Sequence, residues 1–145
     1  MEIEIDPPIE LNIGVVPDHM SIGERLAYVV RYIHDAYIAA FGDSEQTSRK
    51  AKRAAFEYIE RQYRFSPSKI RLYLNVHARF YYNFLACEHL RLTDMQLLLG
   101  QDISDDIVSA VIDLRQANPF MSTREVKNAI AALRRGERPE RHLPD

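Results

Sequence analysis

Apolar and polar positions alternate with a helical period along most of the chain. From Ser21 onward, Ile22, Leu26, Val29, Val30, Ile33, Tyr37 and Phe41 recur three or four residues apart, which places them on one face of a helix. Ser21 followed three residues later by Glu24 has the form of a capping box, and Gly42 ends the pattern. A second helix is predicted from about 43–47 to Tyr63. Ala55, Phe56, Tyr58, Ile59 and Tyr63 fill one side of it, and Arg49, Lys50, Arg53, Glu57, Glu60, Arg61 and Arg64 fill the other. Ser66-Pro67 opens a third helix, with serine as cap and proline in the first turn. No Gly or Pro interrupts Ile70, Leu74, His77, Tyr81 and Leu85, so this helix is expected to reach about Leu90.

Three more helices carry their own start signals: Thr93 with Gln96, Ser104 with Asp105 and Asp106, and Ser122 with Glu125. Gly100, Asn118-Pro119 and Gly136 end them. Ile107, Val108, Val111, Ile112 and Leu114, and then Val126, Ala129, Ile130 and Leu133, form amphipathic stripes that need a packing partner. The prediction is an all-α fold of about six helices, with one helical domain over 21–136. Pro7-Pro8 and Pro17 make residues 1–20 an extended acidic arm, and 137–145 read as a polar tail.

Composition bounds the class. The chain has 145 residues, of which 46% are hydrophobic and 28% charged, and this excludes a disordered chain, a fibrous repeat and a disulfide scaffold. The single cysteine, Cys87, follows Phe84-Leu85-Ala86, where a thiol is expected to act as a small core hydrophobe in a reducing, cytoplasmic setting. The start Met1-Glu2-Ile3-Glu4-Ile5-Asp6 is acidic where a secretory signal is basic. No apolar run approaches the ~18 residues of a membrane span, so no membrane partner is expected.

Net charge is −2, too small for a global field to drive the chain onto a polyanion. Its distribution is uneven. Residues 1–24 carry −6 and 80–123 carry −4, whereas 49–79 carry +7. A central basic segment between acidic ones is the signature of a compact nucleic-acid reader.

Within that segment, Phe56 to Asn75, FEYIERQYRFSPSKIRLYLN, resembles a helix-turn-helix, most closely in RFSPSKIRLYLN. Phe65 is expected to anchor the turn, Ser66 to cap the second helix, and Ile70 with Tyr73 or Leu74 to face inward. Ser66, Ser68, Arg71 and Asn75 are then the candidates for reading bases in a major groove, with arginine suited to guanine and asparagine to adenine. Arg49, Lys50, Lys52, Arg53, Arg64, Lys69 and Arg79 are the phosphate-binding candidates. The pattern departs from the common one twice: Arg64 stands where glycine is usual, and Glu60 where alanine is usual. Arg64 is thereby asked to tolerate a left-handed or otherwise unusual backbone, and Glu60 is expected to clash unless the two helices cross differently. Arg53–Glu57, Glu57–Arg61 and Glu60–Arg64 are also spaced as i,i+4 pairs, which would partly cancel the basic face.

Downstream, Glu88 to Gly100, EHLRLTDMQLLLG, and the later STREV at 122–126 are similar to the helices that follow the recognition helix in ParB/KorB-type partition and regulator proteins. The resemblance covers roughly 21–136. It implies sequence-specific binding of double-stranded DNA by a transcriptional regulator or partition-type factor of a bacterium, plasmid or phage. The family's nucleotide-binding motif is not matched: Gly23-Glu24-Arg25-Leu26 reads as the first turn of a helix.

No catalytic group, cofactor or metal is expected. The histidines His19, His34, His77, His89 and His142 include no pair three or four apart, Cys87 and His89 point different ways, and no phosphate loop, nucleophile elbow or triad is visible. Asp102, Asp105 and Asp106 are accounted for by a helix start. In Arg79-Phe80-Tyr81-Tyr82-Asn83-Phe84, Phe80 and Phe84 are expected in the core with Tyr81 or Tyr82 half exposed. The alternative to DNA binding is a helical protein-interaction module, an adaptor or inhibitor, that uses exposed tyrosines and the acidic 94–113 surface. A homodimer and a protein partner both stay open at this point.

Overall fold

The computed structural model describes residues 18–137, and there it consists of helices and turns with no strand. The seven helices are α1 (His19–Phe41), α2 (Glu45–Tyr63), α3 (Pro67–Phe80), α4 (Phe84–His89), α5 (Leu92–Leu97), α6 (Asp105–Ala117) and α7 (Thr123–Arg134). The all-α expectation holds. The count exceeds six because the long third helix breaks at Tyr81-Tyr82-Asn83 into α3 and α4. The break is made by an asparagine: the Asn83 side chain accepts from the Ala86 N–H at 3.0 Å and starts α4 afresh. The predicted arm lies outside the described residues up to 17, as does the tail from 138.

The chain divides between Ala78 and Arg79 into two compact units. In the first, α1 begins three residues earlier than predicted, because Asp18 and not Ser21 is the cap, its carboxylate accepting from the Ser21 N–H at 2.9 Å. Gly42, at φ 88°, ends α1, and Ser44 caps α2 by accepting from the Thr47 N–H at 3.1 Å. The core joins Leu26, Val29, Ile33 and Tyr37 of α1 to Ala51, Ala55 and Ile59 of α2, with Phe65 from the turn and Ile70 from α3. Gly23 is where α1 meets α3 most closely: a Cβ there would lie 2.6 Å from the Tyr73 carbonyl oxygen and 2.7 Å from His77 Cβ. Gly23 is part of a helix, as the sequence indicated, and its lack of a side chain is what lets the two backbones approach.

The second unit packs Phe80, Ala86, Leu90, Met95, Leu98 and Ile103 with the stripes Val108, Val111 and Ile112 of α6 and Val126, Ala129 and Ile130 of α7. Ser104 and Ser122 cap α6 and α7 as predicted. For α5 the cap is Arg91 rather than Thr93, with the Arg91 N–H donating to the Asp94 carboxylate at 3.0 Å. Asp94 and Arg115 form a buried, two-pronged ion pair at 2.8 and 3.1 Å. Arg115 also donates to the Met121 carbonyl at 2.6 Å, so the pair fixes the turn between α6 and α7. Three expectations are corrected in this unit. Phe84 is 77% exposed instead of core, because α4 begins at that residue and turns it outward. Cys87 is exposed, with its thiol donating to the Phe80 carbonyl at 3.4 Å. Asp94 is interior, which removes it from the acidic 94–113 surface.

Candidate nucleic-acid interface

Three residues, Arg64, Phe65 and Ser66, separate α2 from α3. Arg64 has φ 56° and ψ 34° and is the only non-glycine residue with positive φ among those described. The left-handed backbone turns the chain sharply away from α2 while the Arg64 N–H still bonds the Glu60 carbonyl at 3.0 Å. Phe65 is buried and ties the turn to the core. The Ser66 hydroxyl accepts from the Lys69 N–H at 3.2 Å and caps α3. A three-residue turn of this kind is the connection a helix-turn-helix uses. Glu60 sits half-buried and is accommodated.

Along α3, Ile70 is fully buried and Tyr73 and Leu74 are partly so, whereas Ser66, Ser68, Arg71 and Asn75 are exposed. At 3.6 residues per turn, Ser68, Arg71, Leu72 and Asn75 fall within an arc of about 100°. Leu72, which was not singled out from the sequence, also lies on this outer arc, half-buried. No ion pair or side-chain hydrogen bond among the described residues occupies Ser68, Arg71 or Asn75.

The phosphate candidates divide. Lys50, Lys52, Arg53 and Arg64 are exposed, with Lys52 5.9 Å from the centre of the Phe56 ring. Arg49 is exposed and pairs with Glu45 at 2.7 Å. Lys69 rests its ammonium over Phe65 at 4.5 Å and Tyr73 at 5.8 Å, which steadies it beside the turn. Arg79 is not gathered with the others: it belongs to the second unit, where it donates to the Ile103 carbonyl at 3.0 Å and pairs with Asp105 at 3.2 Å. None of the three anticipated i,i+4 pairs on α2 and its turn closes to within 4 Å among the described residues, so Arg53, Arg61 and Arg64 keep their charge for solvent or a ligand.

One interaction was not foreseen. His34 Nε2 lies 3.3 Å from Ser48 Oγ and Nδ1 lies 3.6 Å from the Asp35 carboxylate. The order of groups is that of a serine-histidine-aspartate triad, but the His–Asp separation exceeds a hydrogen bond, and the two side chains are 43% and 73% exposed. Its evident work is to link α1 to α2. Among the described residues no three His, Cys, Asp or Glu side chains converge as metal ligands, and no helix is long and apolar enough to cross a membrane. Compared with protein-family models, curated proteins and solved structures, the chain matches none.

Proposed function

We propose that the first unit binds double-stranded DNA sequence-specifically through α3, as a transcriptional regulator or partition-type factor. The observation that carries this reading is the turn. Arg64 accepts a left-handed backbone that most residues avoid, and the capped helix that follows carries Ser68, Arg71 and Asn75 exposed on one arc. Arg71 suits the paired acceptors of guanine, Asn75 the adjacent acceptor and donor of adenine, and Leu72, on the same arc, a thymine methyl group. Lys50, Lys52, Arg53 and Arg64 suit phosphates on the flanks. The reading calls for no catalytic group and no cofactor.

The test is affinity for random-sequence duplex as a function of salt. Replacing Lys50 and Arg53 with glutamine is expected to weaken binding to all sequences alike and to flatten the logarithmic salt slope by ~0.9 for each phosphate no longer neutralised. An unchanged slope returns these residues to a merely solvated face.

A further inference from the structure

The second unit carries a groove of about 980 Å³, open along one side, between α6 and the end of α7. Its floor is apolar: Ile107, Ala110 and Leu114 of α6 and Leu133 of α7 line it, each half-buried. At 3.6 residues per turn the three on α6 fall within an arc of about 60°. Asp106 and Asp113 lie just beyond that strip, about two turns apart on one face, both exposed and both lining the groove. Glu137 stands at the α7 end, paired with Arg135 at 3.2 Å. No lysine or arginine is among the described residues that line it. A helix start accounts for Asp106, but Asp113, two turns on, gains nothing from it. The ends of the groove are tied down by backbone. The Gly136 N–H donates to the Leu133 carbonyl and the Glu137 N–H to the Ala132 carbonyl, both at 3.0 Å, and Ser104 caps α6 by accepting from the Ile107 N–H at 3.3 Å.

We propose that this groove docks a cationic amphipathic helix of a partner protein. The apolar side of that helix covers Ile107, Ala110, Leu114 and Leu133, and lysines or arginines about two turns apart on its edge face Asp106 and Asp113, which are separated by about 10 Å along α6. Ala110, the small residue between Ile107 and Leu114, leaves room for the partner's side chains to enter. Charge selects this occupant over the others at hand. Nucleic acid is repelled by the carboxylates. A second copy carries a basic helix in α2, but Ala51, Ala55 and Ile59 of that helix are buried in the core of the first unit, so a copy cannot present a basic edge and a free apolar face together. Nor do the ends of the chain have the right chemistry. Segment 1–17 has acids and no lysine or arginine, and in 138–145 Glu140 and Asp145 offset Arg138 and Arg141, with Leu143 as the one large apolar side chain. The inference concerns the second unit and does not depend on DNA binding by α3.

Anisotropy titration of the full chain, without DNA, tests it. The probe is a labelled peptide of about 14 residues, about four helical turns, with leucines on one face and lysines on the other; its counterpart has glutamate in place of every lysine. The expected result is saturable binding of the lysine peptide, with Kd on the order of 10–100 µM, and none of the glutamate peptide. Two variants are each expected to weaken binding about fivefold or more: Asp106→Asn with Asp113→Asn, which removes the charge, and Ala110→Gln, which fills the groove and keeps the charge. Both carboxylates are exposed, so folding of the first variant is not at risk. Amide shifts in the unaltered chain are expected to map the peptide onto α6 and the end of α7. Failure of the lysine peptide to bind, binding that either variant leaves unchanged, or shifts centred on another face overturns the proposal. Because no DNA is present, none of these outcomes bears on the reading of α3.

Discussion

Replacing Gly23 with alanine sets two effects of opposite sign against each other. In an exposed helical position the change would stabilise by about 1 kcal/mol, because glycine is the costlier residue in a helix. Here the added methyl meets the Tyr73 carbonyl oxygen at 2.6 Å and His77 Cβ at 2.7 Å. Neither atom can rotate away, since one is main chain and the other is the first side-chain carbon. Ordinary van der Waals separation lies near about 3.5 Å, so α1 and α3 must part by most of an ångström. Overpacking costs about 1–3 kcal/mol, and the severity of these distances places the cost in the upper half of that range. The net loss is then about 1–2 kcal/mol, or a fall in Tm of about 2–8 °C for a chain near this size. Scanning calorimetry of the variant measures it, with Ala39→Gly at an exposed position of the same helix as the calibration of propensity. A Tm that rises for Gly23→Ala would refute the close approach and with it the placement of α3 against α1.

Arg64→Gly should raise stability by about 0.5–1 kcal/mol by relieving the left-handed backbone, while weakening DNA binding through removal of the cation; thermal melts and anisotropy should therefore move in opposite directions. Asp94→Asn leaves Arg115 buried without its counter-charge and should cost about 3–5 kcal/mol in denaturant titration, with part recovered when Arg115→Met accompanies Asp94→Leu. Burial holds the His19 imidazole below its ordinary value of 6.5, against the opposing pull of the Asp18 carboxylate. The unfolded chain therefore takes up protons first as pH falls. Stability is full above about 6.5 and declines below it, and His19→Gln should remove that decline from urea midpoints measured across this range.

Much of this architecture is legible in the sequence. The apolar spacing of Leu26, Val29, Ile33 and Tyr37 gives α1 its buried face, and Ser66, Ser104 and Ser122 mark helix starts that the structure uses. The left-handed turn at Arg64 was legible too, because the residues around it kept the pattern while the glycine did not. What escaped depends on interactions distant in sequence. Asp94 and Arg115 are 21 residues apart and look like two surface charges until the fold brings them together. The break at Asn83 hid inside a continuous helical pattern, since an asparagine can sit within a helix or start one. That ambiguity misplaced Phe84 and Cys87. Arg79 likewise joined the basic run by its position in the sequence, whereas its partner Asp105 lies 26 residues on.

The most direct test of the account is selection of duplexes from a random pool by the full chain, followed by anisotropy on the enriched site with Arg71→Ala and Asn75→Ala. The account predicts an enriched motif, and for each variant a loss of about 1–3 kcal/mol on that site with weak binding to random duplex nearly unchanged. Equal losses on enriched and random duplexes, or a pool from which no motif emerges, would contradict it.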